Sequence, residues 1–174
     1  LPGVSRGFRD SHHGGHGWVD LPESIAQSVN TYYYKLALDL GIQRFDSYML
    51  QYGFGKKTGI DLPSESIGIL PSPEWKRKRF NEAWYPGDSV NAGIGQGAWN
   101  VTPLQLAQAT AAIANNGEQR KLHLLKAKRL GFQADWQPES LAPGNRIAND
   151  QAHIDSVKTG MWGTVNGPRG TARA

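Results

Sequence analysis

The sequence has 174 residues, enough for one ordinary domain with a hydrophobic core or for part of a larger one. It contains no cysteine, which excludes a disulfide framework, a thiolate metal site and a cysteine nucleophile. The 19 Lys and Arg residues against 15 Asp and Glu give a net charge of +4, too mild to indicate an extensive nucleic-acid-binding face.

The first part of the chain predicts a loop followed by two helices. Residues 1–20 are rich in Gly and His and are typical of a loop. Asp20 is expected to cap a short helix over 21–27, because its carboxylate can accept the free N–H groups of the first turn. After a break at 28–30, apolar residues recur at helical spacing until Gly41, which predicts a second helix that ends there.

The next segment predicts a third helix, a turn-rich loop and a short basic helix face. The third helix is expected over 44–52 and the loop over 53–65. Four consecutive cations occupy 76–79, between Trp75 and Phe80. A nucleic-acid surface usually needs a wider basic face, so we interpret this run as the solvated side of a helix, with no nucleic-acid partner.

The clearest helix signal lies in the second half of the chain. Thr102 is an N-cap followed by Pro, Gln105 completes a capping box, and Asn116 and Gly117 form a left-handed stop. Further on, the sequence predicts in turn a weak strand, a Pro-rich loop and a final helix, over 122–130, 137–145 and 151–165.

Two triplets that mark serine acyltransferases each occur twice. S-x-N lies at 28–30 and at 89–91, and K-T-G lies at 57–59 and at 158–160. In such enzymes these boxes accompany a nucleophilic Ser in S-x-x-K, one helical turn before a Lys that takes the hydroxyl proton. No Ser in this sequence has Lys at the third following position. The sequence therefore has no recognisable nucleophile.

Four longer strings occur in the order and spacing of the class B penicillin-binding proteins, which the chain resembles over nearly its whole length, the elongation-type members above all. They are SVNTYYYKLALDLG, YGFGKKTGIDLPSE, WYPGDSVNAGIGQGAWNVTPLQLAQATAAIANNG and SVKTGMWGTVNGPRGTA. The resemblance implies the α+β fold of β-lactamases and transpeptidases, with helices around an antiparallel sheet. It identifies residues 1–174 as the central, mostly helical portion of one transpeptidase domain, incomplete at both ends and lacking much of the sheet.

The resemblance separates the duplicated triplets. It places the functional S-x-N box at 28–30, between two helices, whereas 89–91 lies in the approach to the GIGQG string. Both K-T-G triplets are decoys, because 57–59 belongs to a loop and 158–160 to a helix. The K-T-G box of the family would follow the GTA segment at 170–172, and S-x-x-K would lie upstream of the chain.

The resemblance assigns catalytic roles to two residues of the box. The Ser28 hydroxyl both donates and accepts, so it can relay a proton between the absent Lys and the leaving nitrogen. The Asn30 amide can hold a substrate carbonyl while its oxygen orients that Lys. Asn30 can also cap a helix that begins at Thr31, and the two roles can coexist.

Other polar and glycine positions are interpreted as structural. The glycines of 93–97 suit close backbone packing beneath the active-site sheet better than a phosphate loop. Trp84 and Asp88 match a structural stretch of the family.

The N-terminal loop contains candidate metal ligands. His12, His13 and His16 lie near Asp10, at a spacing that suits zinc, although loop histidines are ordinarily solvated. Some elongation-type members use an Asp and a His at the positions of Asp10 and His16 for zinc, which implies a structural zinc there. Val29, in the middle of the box, cannot ligate a metal, and any upstream ligand lies outside this chain, so the resemblance leaves the zinc site incomplete. The reaction itself requires no cofactor.

The function implied by the resemblance is that of a peptidoglycan D,D-transpeptidase, which cross-links stem peptides through a serine acyl-enzyme and is inhibited by β-lactams. Peptidoglycan stem peptides, β-lactam antibiotics and a glycosyltransferase are the implied partners. The implied location is the periplasmic face of the inner membrane, with one membrane anchor outside this chain. The alternatives are a class D β-lactamase or D,D-carboxypeptidase, and a non-catalytic β-lactam sensor. The chain alone is expected to be inactive.

Overall fold

The structure is a computed structural model that describes residues 7–140, 142–148 and 150–173. Helices dominate these residues, with four very short strands. In chain order the elements are α1 (Leu21–Ala26), α2 (Asn30–Leu40), α3 (Ile42–Gln51), α4 (Pro73–Phe80), α5 (Pro86–Gly93), α6 (Pro103–Ala114), β1 (Glu118–Gln119), β2 (Ala127–Lys128), β3 (Gln137–Pro138), β4 (Asn145–Arg146) and α7 (Gln151–Asn166). Within this part of the chain, no helix has both the length and the hydropathy needed to span a membrane.

Local capping signals start and stop the helices as predicted. The Asp20 carboxylate accepts the Glu23 N–H at 2.9 Å and caps α1. Gly41, with a φ of 73°, ends α2 in a conformation that favours glycine. At the start of α6, Thr102 and Gln105 exchange the two hydrogen bonds of a capping box, at 3.1 and 2.9 Å. These three predictions are confirmed.

Helix α5 is not among the helices predicted from the sequence, which places 89–91 only in the approach to GIGQG. Pro86 occupies its first turn, and the Asp88 carboxylate accepts the Tyr85 N–H at 2.7 Å. Ser89, Val90 and Ala92 are buried. Glycine and proline obscure the helical period here, and burial of this small apolar face compensates for their low helix propensity.

The strand prediction over 122–130 is wrong in extent. Only β2 forms there, paired antiparallel with β3, while β1 pairs with β4. The N–H groups of Leu124 and Leu125 are instead bound by the Asp61 carboxylate, at 2.7 and 2.9 Å, so they are not available to a neighbouring strand. The predicted loop 137–145 correspondingly contains β3 and the first residue of β4.

The basic run is only partly a solvated helix face. Arg77, Lys78 and Arg79 on α4 are exposed, as expected. Lys76 differs, because its side chain is only 12 % exposed and its Nζ lies 2.7 Å from the Asp88 carboxylate. This cation therefore ties α4 to the start of α5.

Two glycines allow helices to approach closely around the predicted S-x-N box. A Cβ at Gly93 of α5 would lie 2.6 Å from the Ala37 Cβ on α2. A Cβ at Gly160 of α7 would lie 2.7 Å from the Ile25 Cβ on α1. The predicted close packing is thus present at Gly93, but it is made against a helix, because the described residues place no sheet beneath the GIGQG string.

Gln105 fixes the loop between α3 and α4. Its side chain is fully buried, and its Nε2 donates to the carbonyls of Lys56 and Ile67 at 2.8 and 2.9 Å. One amide thus closes a capping box and holds both ends of the turn-rich loop.

Replacement of Gly93 tests the approach of α2 and α5. Gly93→Ala places a methyl group against Ala37 and should cost about 1–3 kcal/mol of unfolding free energy, because a packed contact cannot absorb it. Gly87→Ala is the control on the same helix, where a Cβ meets nothing within 4 Å. Thermal and urea unfolding measure both variants. Equal stability of the two would contradict the packing argument.

Asp46 on α3 predicts a pH dependence of stability. Burial, aided by the charge of Glu74, raises its pKa to about 7, and its Oδ1 has no hydrogen-bond partner in the described residues. The folded state therefore binds the proton more tightly than the unfolded chain, so stability falls as pH rises from about 4 to about 7. Asp46→Asn should raise the Tm at about pH 8 and weaken this fall, whereas the exposed Asp135→Asn control should leave it unchanged. An identical pH profile for wild type and Asp46→Asn would exclude this assignment.

Candidate active site

The S-x-N box lies at a tight turn between α1 and α2. Ser28 has a φ of 55°, a left-handed conformation that is uncommon for residues other than glycine. The turn is held by backbone hydrogen bonds from Ser28 N–H to the Ile25 carbonyl at 3.2 Å and from Val29 N–H to the Ser24 carbonyl at 2.9 Å. Val29 is 2 % exposed and anchors the turn in the core.

The two polar side chains of the box are not used to build the fold. Ser28 is exposed, and no residue that the structure describes hydrogen-bonds to its hydroxyl. Asn30 is half-buried in the first turn of α2, whose N-cap residue is Val29 and which has no cap from its own N-cap side chain. The prediction that Asn30 caps a helix beginning at Thr31 is therefore wrong, since Asn30 is already helical.

The cap of α2 comes from the N-terminal loop instead. The Asp10 Oδ2 accepts the Thr31 N–H at 3.0 Å and the Thr31 hydroxyl at 3.1 Å. Its Oδ1 accepts the Ser11 N–H at 2.8 Å. Burial opposes ionisation of this carboxyl, but the hydrogen bonds from Thr31 and Ser11 and the nearby His16 outweigh it and hold the pKa of Asp10 below its usual value.

His16 joins this carboxylate to the end of α1. Its Nε2 lies 3.2 Å from the Asp10 Oδ1, and its Nδ1 lies 3.4 Å from the Gln27 Oε1. Asp10 and His16 are buried, with side chains 3 % and 11 % exposed. The structure thus brings together the two residues that the sequence analysis names as zinc ligands.

The described residues around this pair do not by themselves make up a metal site. Within 7–140, 142–148 and 150–173, no cluster of three or more His, Cys, Asp and Glu side chains is close enough to hold one. Both carboxylate oxygens of Asp10 already accept hydrogen bonds, and Val29 offers no ligand atom. The zinc assignment stays a prediction.

A second contact between the two helices lies in the core. The fully buried Ser24 hydroxyl donates to the Leu21 carbonyl at 2.8 Å and lies 3.2 Å from the Tyr33 hydroxyl on α2. Burial of this phenol, only partly offset by Ser24, raises the pKa of Tyr33. The sequence analysis misses Ser24, Gln27 and Tyr33, because each residue gains its role from a partner outside its own helix.

The GTA segment lies beside the box. The Thr171 N–H donates to the Ala26 carbonyl at 3.2 Å, two residues before Ser28. Arg169 and Glu23 form an ion pair at 2.6 Å on the surface of the same contact. The chain therefore passes the end of α1 just where the resemblance expects the K-T-G strand to follow.

The S-x-N triplet at 89–91 and both K-T-G triplets have structural roles. Ser89 is buried within α5 and accepts the Trp84 indole N–H at 2.9 Å. The N–H groups of Thr58 and Gly59 bind the Glu65 carboxylate at 2.7 and 3.1 Å. Gly160 lies in α7 at the packed contact with α1. These positions agree with the interpretation of the copies as decoys.

Two open grooves flank the Asp10–His16 pair. One, of about 440 Å³, is lined by residues 16–19, Val29 and α2 as far as Asp39, and Trp18 there is fully exposed. The other, of about 490 Å³, lies between the His-rich loop, Gln27 and the GTA segment. His16 lines both grooves, whereas only the first reaches the box, at Val29.

Comparison with known proteins identifies the family. Residues 3–174 match the penicillin-binding protein transpeptidase domain. The chain is 49 % identical to the peptidoglycan D,D-transpeptidase MrdA of Acinetobacter baumannii over 97 % of its own length, and it spans about a quarter (26 %) of that relative.

Solved structures agree with this match. PBP2 of Pseudomonas aeruginosa in complex with WCK 5153 superposes with a TM-score of 0.86 at 43 % identity, covering 99 % of this chain and 38 % of that one. PBP2 of Helicobacter pylori in complex with MreC gives a TM-score of 0.83 at 33 % identity, covering 99 % and 30 %. The helix-rich chain with its exposed S-x-N turn thus belongs to the penicillin-binding protein transpeptidase domain family, with the α+β fold of transpeptidases and β-lactamases.

Proposed function

We propose that this chain is the central portion of the transpeptidase domain of a peptidoglycan D,D-transpeptidase, which cross-links stem peptides through a serine acyl-enzyme and is a target of β-lactams. The observation that carries the proposal is the Ser28 turn. An exposed hydroxyl without a partner in the described residues stands at the junction of two helices, beside the segment that leads toward the K-T-G box of the family.

Ser28 acts as the proton relay in this proposal. The nucleophilic Ser and its Lys belong to an S-x-x-K box that this sequence does not contain. Acylation requires a proton to pass from the nucleophile to the leaving nitrogen of the D-Ala-D-Ala bond. A hydroxyl can accept that proton while donating its own, so Ser28 bridges Lys and nitrogen without changing charge.

Asn30 binds substrate. Its position in the first turn of α2 leaves the side-chain amide free of the capping role, since Asp10 accepts the Thr31 N–H instead. The Asn30 NH₂ can therefore donate to a substrate carbonyl while its oxygen accepts from the Lys of S-x-x-K. The structural work of capping and the chemical work of binding fall on different residues.

The intact protein works on peptidoglycan at the periplasmic face of the inner membrane in this proposal. Its relatives carry the name peptidoglycan D,D-transpeptidase, and one neighbouring structure is a complex with MreC. We extend to this chain a place in a peptidoglycan-synthesising assembly with a glycosyltransferase. The chemistry requires no cofactor.

Ser28→Ala tests the relay. In the intact protein, removal of the hydroxyl should slow acylation by a fluorescent penicillin about 100-fold or more, because a positioned proton carrier is lost, while the Tm changes little. Ser47→Ala, at an exposed serine of α3, is the control and should react like wild type. Acylation of Ser28→Ala at the wild-type rate would remove Ser28 from the mechanism.

The sequence also predicts how a polypeptide of these 174 residues alone reacts with penicillin. A polypeptide of the 174 residues should not be labelled covalently by a fluorescent penicillin, because no Ser here has a Lys one helical turn later. Gel fluorescence and intact mass measure the adduct, with the intact protein as the positive control. A stable acyl adduct on any Ser of the short polypeptide would show that the nucleophile lies within this chain.

A further inference from the structure

A chain of side chains connects the two helices that flank the S-x-N box. It runs from Gln27 at the end of α1 through His16 and Asp10 to Thr31 in the first turn of α2. We call these four residues the box bridge. Its members come from three separate segments, and its central pair is almost completely buried. The bridge therefore holds the ends of α1 and α2 in one fixed relation.

The first turn of α2 needs an acceptor that its own N-cap cannot supply. Val29 has an apolar side chain and forms no side-chain cap. The usual N-cap side chain accepts the N–H of the second or third helical residue, and Asp10 does this from outside the helix by binding the Thr31 N–H at 3.0 Å. A carboxylate at this end also interacts favourably with the helix dipole. Asp10 thus replaces the missing local cap.

The turn itself benefits from external support. The left-handed conformation of Ser28 costs on the order of 1 kcal/mol for a residue with a Cβ, so the turn persists only where its surroundings fix it. The bridge and the Ser24–Tyr33 contact are the polar links between the two helices on either side of it in the described residues.

We propose that Asp10 and His16 are positioning residues for the transpeptidase reaction, which hold Ser28 and Asn30 in place by hydrogen bonds alone, without a bound metal. Asp10 sets the start of α2, and His16 couples that start to the end of α1. Both carboxylate oxygens of Asp10 accept hydrogen bonds from N–H and O–H donors, so neither is left free to ligate a metal. This inference rests on the proposed function.

Asp10→Ala in the intact protein tests the bridge. Alanine offers neither an acceptor for the Thr31 N–H nor a partner for His16, so the first turn of α2 loses its cap and its link to α1. Acylation by a fluorescent penicillin should fall about tenfold or more in its first-order step, with the pre-acylation binding constant nearly unchanged, because misplacement of catalytic groups affects the reacting state most. Amide hydrogen exchange should increase at 30–33.

Asp20→Ala is the matched control, because it removes the 2.9 Å cap of α1 and takes no part in the bridge. It should acylate at the wild-type rate, since it leaves the cap of α2 and the link between the helices in place. His16→Leu provides a second variant that keeps the cap on Thr31 but breaks the link to α1. His16→Leu should slow acylation without increasing amide hydrogen exchange at 30–33. This result would distinguish the coupling of α1 to α2 from the capping of α2.

Metal content decides the other half of the proposal. The wild-type protein should contain zinc well below one ion per chain by inductively coupled plasma mass spectrometry, and treatment with 1,10-phenanthroline should leave its acylation rate unchanged. Stoichiometric zinc whose removal slows acylation would overturn the proposal and make Asp10 and His16 metal ligands. Wild-type acylation by both Asp10→Ala and His16→Leu would also overturn it.

The proposed function can fail separately. If the wild-type protein does not react with penicillin at all, the transpeptidase assignment fails, while metal content and amide exchange at 30–33 still report on the bridge. Unchanged exchange in Asp10→Ala then excludes the capping role by itself.

Discussion

The arrangement of the site depends on how closely two helix pairs can approach. Helices α1 and α2 carry the Ser28 turn between them, and each packs against a later helix at a glycine. At Gly160 and Gly93 the neighbouring backbone and side chains occupy the space where a Cβ would stand. The positions of both helices are therefore set by steric exclusion, which tolerates little variation, since packed interiors do not deform continuously. Because the turn at Ser28 joins these two helices, its position is fixed with theirs.

Polar contacts then fix the orientation of helices α1 and α2 relative to each other. Asp10 and His16 join the two helices through buried side chains of the N-terminal loop, and Ser24 and Tyr33 join them in the core. The Ser28 and Asn30 side chains take no part in these contacts among the described residues. This division is consistent with the proposed function, in which Ser28 and Asn30 bind and exchange protons with a substrate while their neighbours hold the backbone.

Residues of the other triplets also have structural roles. The triplet at 57–59 lies in a loop whose ends are fixed by the buried amide of Gln105, and the triplet at 158–160 contributes the packed glycine of α7. The surroundings of a short motif thus decide whether its side chains serve packing or remain accessible. Ser89 shows this most directly, since its buried hydroxyl is held by the Trp84 indole and is not presented to a substrate.

The sequence by itself determined the features that depend on near neighbours along the chain: the caps at Asp20 and Thr102, the stop at Gly41, the order of the family strings and hence the family. These signals are local, because a cap or a left-handed glycine acts within one helical turn. The tertiary structure decided the rest. The helical state of 86–93 depends on burial against α2, and the 122–130 segment lost its strand because Asp61, more than sixty residues away, binds its N–H groups. Asp10 likewise caps a helix that begins twenty residues later, a contact that no local pattern encodes because it exists only once the loop has folded back over the box.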